Sequence, residues 1–211
     1  MDKFFYWFVK LTALPVEWFY FKRKVFYYSK NQNRTIKGGA LIVSNHRAIM
    51  DYPFYMYTFK RAVIRPVTGE IIYRNGKLLT WFLNRMGAIR VKEGYDFSFI
   101  DKSEKIINKG GRVLIFPESR VSKKEPYEMF EFKPSFVTIA LNTNCPVIPC
   151  FTSGNYGKGK SKVVIGDRLY LRDIYDESKS EKENLEFISK YVRDYIKMLG
   201  DKLNEKEKEK E

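Results

Sequence analysis

Ser44-Asn45-His46-Arg47-Ala48-Ile49-Met50-Asp51 contains the one histidine of the chain, five residues ahead of a carboxylate. A carboxylate that accepts the Nδ1–H of an imidazole fixes its tautomer and leaves Nε2 able to take a proton. Such a pair can act as a general base on a hydroxyl. On one continuous helix, residues five apart point about 140° away from each other and do not meet. Pro53 offers a way out. Proline suits a first helical turn, which makes Asp51 or Tyr52 the cap and leaves His46 in a loop that can fold back on Asp51. The same spacing also serves a purely structural histidine, so the pair alone leaves both readings open.

A second group of polar residues follows the clearest strand of the chain, residues 112–116. Phe116-Pro117-Glu118-Ser119-Arg120 puts a carboxylate and a guanidinium at that strand's C-terminal end, where α/β folds place reactive groups. The elements that must hold these residues alternate. Strands are expected near 40–43, 63–67, 88–91, 112–116, 146–151 and 162–166. Helices are expected near 53–60, 77–86 (ended by Gly87), 96–109 (ended by Gly110-Gly111) and 134–143. Leu185, Ile188, Val192, Tyr195 and Leu199 then mark one stripe of an amphipathic helix. The pattern predicts an α/β domain over residues 31–200, with a mixed, largely parallel sheet flanked by helices. Residues 201–211 alternate lysine with glutamate and read as a frayed, charged and solvated helical tail.

Taken in order, these blocks resemble the glycerolipid acyltransferase family, the group that contains 1-acylglycerol-3-phosphate acyltransferase. Its first block, Asn-His, four residues, Asp, is matched by Asn45, His46 and Asp51. Its third, Phe-Pro-Glu-Gly followed by arginine, is matched by Phe116, Pro117, Glu118 and Arg120. Its fourth, a Pro-Val-Ile-Pro strand, is matched at Pro146-Val147-Ile148-Pro149. The resemblance covers residues 40–150. There are two departures. Ser119 stands where the family has glycine, and the arginine comes one residue sooner than in the commonest form. In the second block, Gly-x-Ile-x-x-x-Arg, Glu93 holds the arginine position, leaving Arg90 or Lys92 to supply the cation.

The resemblance implies acyl transfer from acyl-CoA or acyl carrier protein to a lysophospholipid hydroxyl. Its default acceptor is 1-acylglycerol-3-phosphate, giving phosphatidic acid. Another lipid acceptor, or a non-catalytic phospholipid-binding module, is the alternative. His46 would be the base and Asp51 its orienting partner. Asn45, Glu118, Ser119, Arg120, Lys133 and Arg90 or Lys92 would line the acceptor site, with the cations on its phosphate. The resemblance implies no metal or redox cofactor.

Charge and aromatic placement point to the partner. The formal net charge is +14, which attracts polyanions without choosing among them. Residues 1–28 hold 12 of the 35 aromatics, interleaved with Lys3, Lys10, Lys22, Arg23 and Lys24. Rings mixed with basic side chains suit the headgroup boundary of an anionic membrane. Packing on the protein's own core is the competing reading. Pro15 splits the stretch into two helices, the second drawn from Trp18, Phe21, Val25 and Tyr28 at helical spacing. Residues 1–30 are thus expected to be a membrane-interfacial helical segment. No apolar run nears the roughly 18–20 residues needed to span a bilayer. No nucleic-acid motif accompanies the charge. Cys145 and Cys150 show neither metal-ligand spacing nor easy bridging, as in a reduced compartment. The expected location is peripheral or monotopic, on the cytoplasmic face of the cell membrane.

Overall fold

The apolar run that precedes His46 is buried along its whole length, Ala40–Ser44, so helices must cover it on both faces. The computed structural model describes residues 2–30, 34–94, 96–122, 128–154, 156–157 and 161–208. Its strands are β1 (Lys24–Tyr27), β2 (Ala40–Ser44), β3 (Ile64–Gly69), β4 (Ile89–Val91), β5 (Arg112–Ile115), β6 (Val147–Thr152) and β7 (Lys162–Ile165). They form one sheet in the order β1-β7-β6-β2-β5-β3-β4. Every neighbouring pair is parallel except β6 with β7, which is antiparallel. The sheet is therefore mixed and largely parallel, as the alternation of elements predicts.

Successive side chains of a strand point to opposite faces, and the core divides accordingly. Leu41, Val43, Val113 and Ile115 pack on one face with Phe99 and Ile107 of α6 (Ser98–Asn108), Phe136 and Ile139 of α7 (Ser135–Thr143), and Ile188, Val192 and Leu199 of α8 (Glu181–Lys208). Ala40, Ile42, Ile64 and Leu114 pack on the other face with Phe54 and Tyr55 of α3 (Asp51–Thr58) and with Phe21. At the sheet edge, α4 (Glu70–Tyr73) and α5 (Lys77–Met86) connect β3 to β4. Gly87, at φ +78, closes α5 in the left-handed conformation that its place after the helix predicts.

The N-terminal segment departs from expectation. Helix α1 (Lys3–Thr12) and the short α2 (Leu14–Val16) with Pro15 run into a π-helical turn, Glu17–Phe21, stopped by Lys22 at φ +41. The chain then enters the sheet as β1, paired in parallel with β7. Val25 and Tyr27 face one side and Phe26 the other, a period of two that the 18/21/25/28 spacing had disguised as a helix. The α/β domain thus begins at β1 rather than at residue 31.

The aromatic segment has a buried face and an exposed one. Tyr6 and Phe21 have no exposed surface, and full burial of each contributes about 1.5–3 kcal/mol. The Tyr6 hydroxyl also accepts from the Ile64 amide at 3.2 Å. Outward, Phe4, Phe8, Leu11, Trp18 and Phe19 are exposed. Phe5 joins this face to α5, with its ring centroid 5.4 Å from that of Trp81. Among the described residues, no helix is long and apolar enough to cross a membrane.

One residue of the stretch read as a solvated helical tail is not solvated. Helix α8 continues through Lys208, and Leu203 is buried in the core. Residues 209–211 lie outside the described part of the chain.

Candidate active site

Strands β6, β2 and β5 lie side by side and parallel, so their C-terminal ends open on one edge of the sheet. The loop after β2 folds back on the start of α3. His46 Nδ1 is 2.6 Å from Asp51 Oδ2. The same oxygen accepts the amides of Arg47 at 2.8 Å and Ala48 at 3.0 Å. Backbone wrapped around a carboxylate thus brings together two residues that a helix would hold apart. Pro53 falls in the first turn of α3, as expected, while the cap position is Met50. Asp51 is fully buried, whereas the His46 side chain is 20% exposed. The imidazole stacks on Phe116, with centroids 4.3 Å apart and planes 15° from parallel. Because Asp51 is acceptor-only when ionised, it assigns the proton to Nδ1 and leaves Nε2 as the basic atom.

Two further predicted residues hold this loop from beneath. Asn45 has no exposed surface. It donates from Nδ2 to the Thr152 carbonyl at 3.0 Å and accepts the Thr152 amide on Oδ1 at 2.8 Å. It ties the end of β2 to the end of β6 and is not a surface that an acceptor can touch. Glu118 is buried as well. Its Oε1 accepts the His46 amide at 2.8 Å and its Oε2 the Phe130 amide at 2.9 Å. The Ser122 amide returns to the His46 carbonyl at 3.0 Å. Expected on the acceptor, Glu118 instead clamps the backbone of His46 to the loop after β5.

The family model for Acyltransferase matches residues 11–153, more than half of the chain. The chain belongs to the acyltransferase family. The crystal structure of the 1-acyl-sn-glycerophosphate (LPA) acyltransferase PlsC from Thermotoga maritima is similar in fold. The TM-score is 0.63 at 19% identity, covering 94% of this chain and 79% of that one. No curated protein matches the sequence.

In this acyltransferase the departures from the family pattern have a geometry. Ser119, in place of glycine, sits at φ +57. The turn keeps the left-handed conformation that glycine takes without strain, at a cost of roughly 1–2 kcal/mol for a side-chain-bearing residue. Arg120 is exposed at the same loop, its guanidinium 3.6 Å from the Phe130 ring centroid. Lys133 is exposed and tied by its amide to the Pro117 carbonyl at 3.0 Å.

Arg90 is on β4, two strands from β5, or about 10 Å at ordinary strand spacing. It meets Glu70 edge-on through Nε and Nη2 and lies 4.7 Å over the Tyr73 ring. That bidentate bond holds the Glu70 carboxyl below its usual range. Glu93, where the family has arginine, pairs with Arg74 at 2.6 Å. Lys92 is exposed past the end of β4.

One residue that the sequence did not flag reaches the centre. Tyr156, in the loop after β6, donates its hydroxyl to Asp51 Oδ1. Gly154 in the same loop, at φ +67, lies so close to Arg47 that an added Cβ would come within 2.1 Å of the arginine Cβ. That contact brings the loop down beside His46.

Proposed function

We propose that this chain transfers a fatty acyl group from a thioester donor, acyl-CoA or acyl carrier protein, to the hydroxyl of a lysophospholipid. 1-Acylglycerol-3-phosphate, giving phosphatidic acid, is the leading acceptor. The observation that carries the reading is the 2.6 Å His46–Asp51 contact at the open end of β2. In the reaction, Nε2 of His46 takes the acceptor's hydroxyl proton as its oxygen attacks the thioester carbonyl. The C–O bond forms, the C–S bond breaks, and the proton passes from the imidazolium to the departing thiolate. Asp51 stabilises the imidazolium between the two steps. Arg120 and Arg90 supply charge for the acceptor phosphate, and Lys92 and Lys133 lie at the margin of that site.

The same reading sets the exposed aromatic face of α1, the π turn and α5 against an anionic phospholipid surface, on the cytoplasmic side of the cell membrane. Trp18 and Phe19 are 65% and 75% exposed, an uncovered ring density that interfacial lipid would cover.

The decisive experiment offers a panel of lyso-acceptors with both donor types and identifies products by lipid mass spectrometry. His46→Ala should fold and bind vesicles but lower transfer by about two to four orders of magnitude. Near wild-type turnover by that variant would end this mechanism. Lipid binding without turnover by the wild type would favour the binding-module alternative.

A further inference from the structure

Carboxylate torsions are broad and roughly two-fold, so a carboxylate held through one oxygen can still swing. In Asp51, Oδ2 carries the His46, Arg47 and Ala48 donors, and Oδ1 is held from across the sheet by the Tyr156 hydroxyl. Thr152 Oγ1 lies 3.1 Å from that phenol oxygen. Tyrosine has a single proton, and it goes to the carboxylate, so Thr152 is the donor in this second bond. Burial, and then the charge of Asp51, push the phenol well above the usual tyrosine range, which keeps it a donor.

The Tyr156 ring has its own supports. Phe21 meets it edge-on with centroids 5.3 Å apart, and Phe54 lies tilted against it at 5.1 Å. Phe21 is the last residue of the π turn and is completely buried, while Trp18 and Phe19 of the same turn are exposed. One turn therefore presents rings to the outside and wedges the tyrosine that holds the catalytic carboxylate.

We infer that Tyr156 is a positioning residue, fixing the rotation of Asp51 so that Oδ2 faces His46, and that Phe21 makes the N-terminal segment part of this support. The inference rests on the acyl-transfer reading for its effect on rate, but not for its effect on the imidazole. Aromatic stacking alone would need only the ring. A role in positioning needs the hydroxyl.

The test exploits the lone histidine. In the full-length protein labelled with 15N-histidine, one imidazole reports, and its Nδ1–H proton reads the bond to Asp51 directly. Tyr156→Phe keeps the ring and removes the donor. It should displace or broaden the Nδ1–H signal and lower kcat about tenfold, with acceptor and donor KM unchanged. Phe21→Leu should move the signal in the same direction by less. Should Tyr156→Phe fail to fold, Thr152→Val takes its place, removing the hydroxyl that orients the phenol. Thr152→Ser, which retains that hydroxyl, should restore the wild-type signal.

An unmoved Nδ1–H signal in a folded Tyr156→Phe or Thr152→Val protein overturns the inference, whatever the rate does. A raised KM with an unmoved signal would assign Tyr156 to the substrate instead. Absence of transfer by the wild type with every acceptor sinks the proposed function, while the imidazole signal still decides the role of Tyr156.

Discussion

The ends of β2, β5 and β6 and the ends of β3 and β4 are both rich in charge, but they are built on different principles. In the first region all four oxygens of Asp51 and Glu118 accept hydrogen bonds from inside the protein, three of the donors being backbone amides of residues 46–48 and one that of Phe130. Buried groups satisfied in this way are rigid and cost no rearrangement when charge moves. In the second region Glu70 and Glu93 pair with Arg90 and Arg74 near the surface, where salt screens them and water replaces them readily. The Asn45-His46 and Asp51 block is intact in the first, although Ser119 replaces the family glycine there, and in the second Glu93 stands where an arginine is usual. On the proposed reading, proton transfer rests on the first region, while charge for the acceptor phosphate comes from Arg120 in the first and Arg90 in the second.

The sharpest way to break that comparison is to alter one carboxylate of each kind. Glu118→Gln presents an amide NH2 to the Phe130 or the His46 amide, setting donor against donor in a buried place. It should cost about 2–4 kcal/mol in denaturant unfolding and depress kcat with little change in acceptor KM. Glu70→Gln, at the exposed pair, should unfold at the wild-type denaturant concentration. If Glu118→Gln kept its stability and raised acceptor KM instead, the clamp would be the wrong account and direct contact with the acceptor the right one.

A smaller effect sharpens the other side. Glu70 occupies the Nε–Nη2 edge of Arg90, so a phosphate on the acceptor must compete with it. Arg90→Ala should raise the KM of a phosphorylated acceptor about three- to tenfold, and Glu70→Gln should lower it. Both shifts should shrink at high salt. Equal KM in all three proteins, at low salt, would remove Arg90 from the phosphate site.

The sequence disclosed the first region far better than the second, for reasons tied to chain distance. His46 and Asp51 lie within six residues, and the strand that leads into them is a continuous apolar run, Ala40 to Val43, preceded by Gly38-Gly39. Tyr156 reaches Asp51 from 105 residues away, through a contact created only when β6 docks beside β2. The glycines at 154 and 157 were the available hint of a tight loop there. The short β1 was missed for the same reason, because its partner β7 lies more than a hundred residues on and four residues fit either period. Glu118 and Asn45 were found as residues but not as structural ties, since a motif gives residue types without saying which way a side chain turns. At the edge of the sheet, Arg90 and Lys92 were equal candidates by spacing, and only the position of Glu70 on α4 shows which one is already engaged.

The smallest effect lies in the loop after β5, where a family glycine has become Ser119. Its φ of +57 places a Cβ in the left-handed region, at a cost of roughly 1–2 kcal/mol. Glycine relieves that strain but loses more conformational freedom on folding, which returns part of the gain. The Ser119 hydroxyl contributes little locally, since its contact with the Pro117 carbonyl is 3.4 Å long. Ser119→Gly should therefore stabilise the protein by about 0.5–1 kcal/mol, a rise in Tm of about 1–4 °C for a domain of this size. Ser119→Ala keeps the Cβ and removes only the hydroxyl, so it should gain nothing. Acceptor kinetics on the same pair then separate backbone from side chain. A KM raised equally in both variants identifies the hydroxyl as a phosphate ligand, whereas a change confined to the glycine variant points to the closer backbone approach that the missing Cβ allows. If Ser119→Gly melted at or below the wild-type temperature, the turn would be relaxed as it stands, and the serine no strain on the loop that Glu118 anchors.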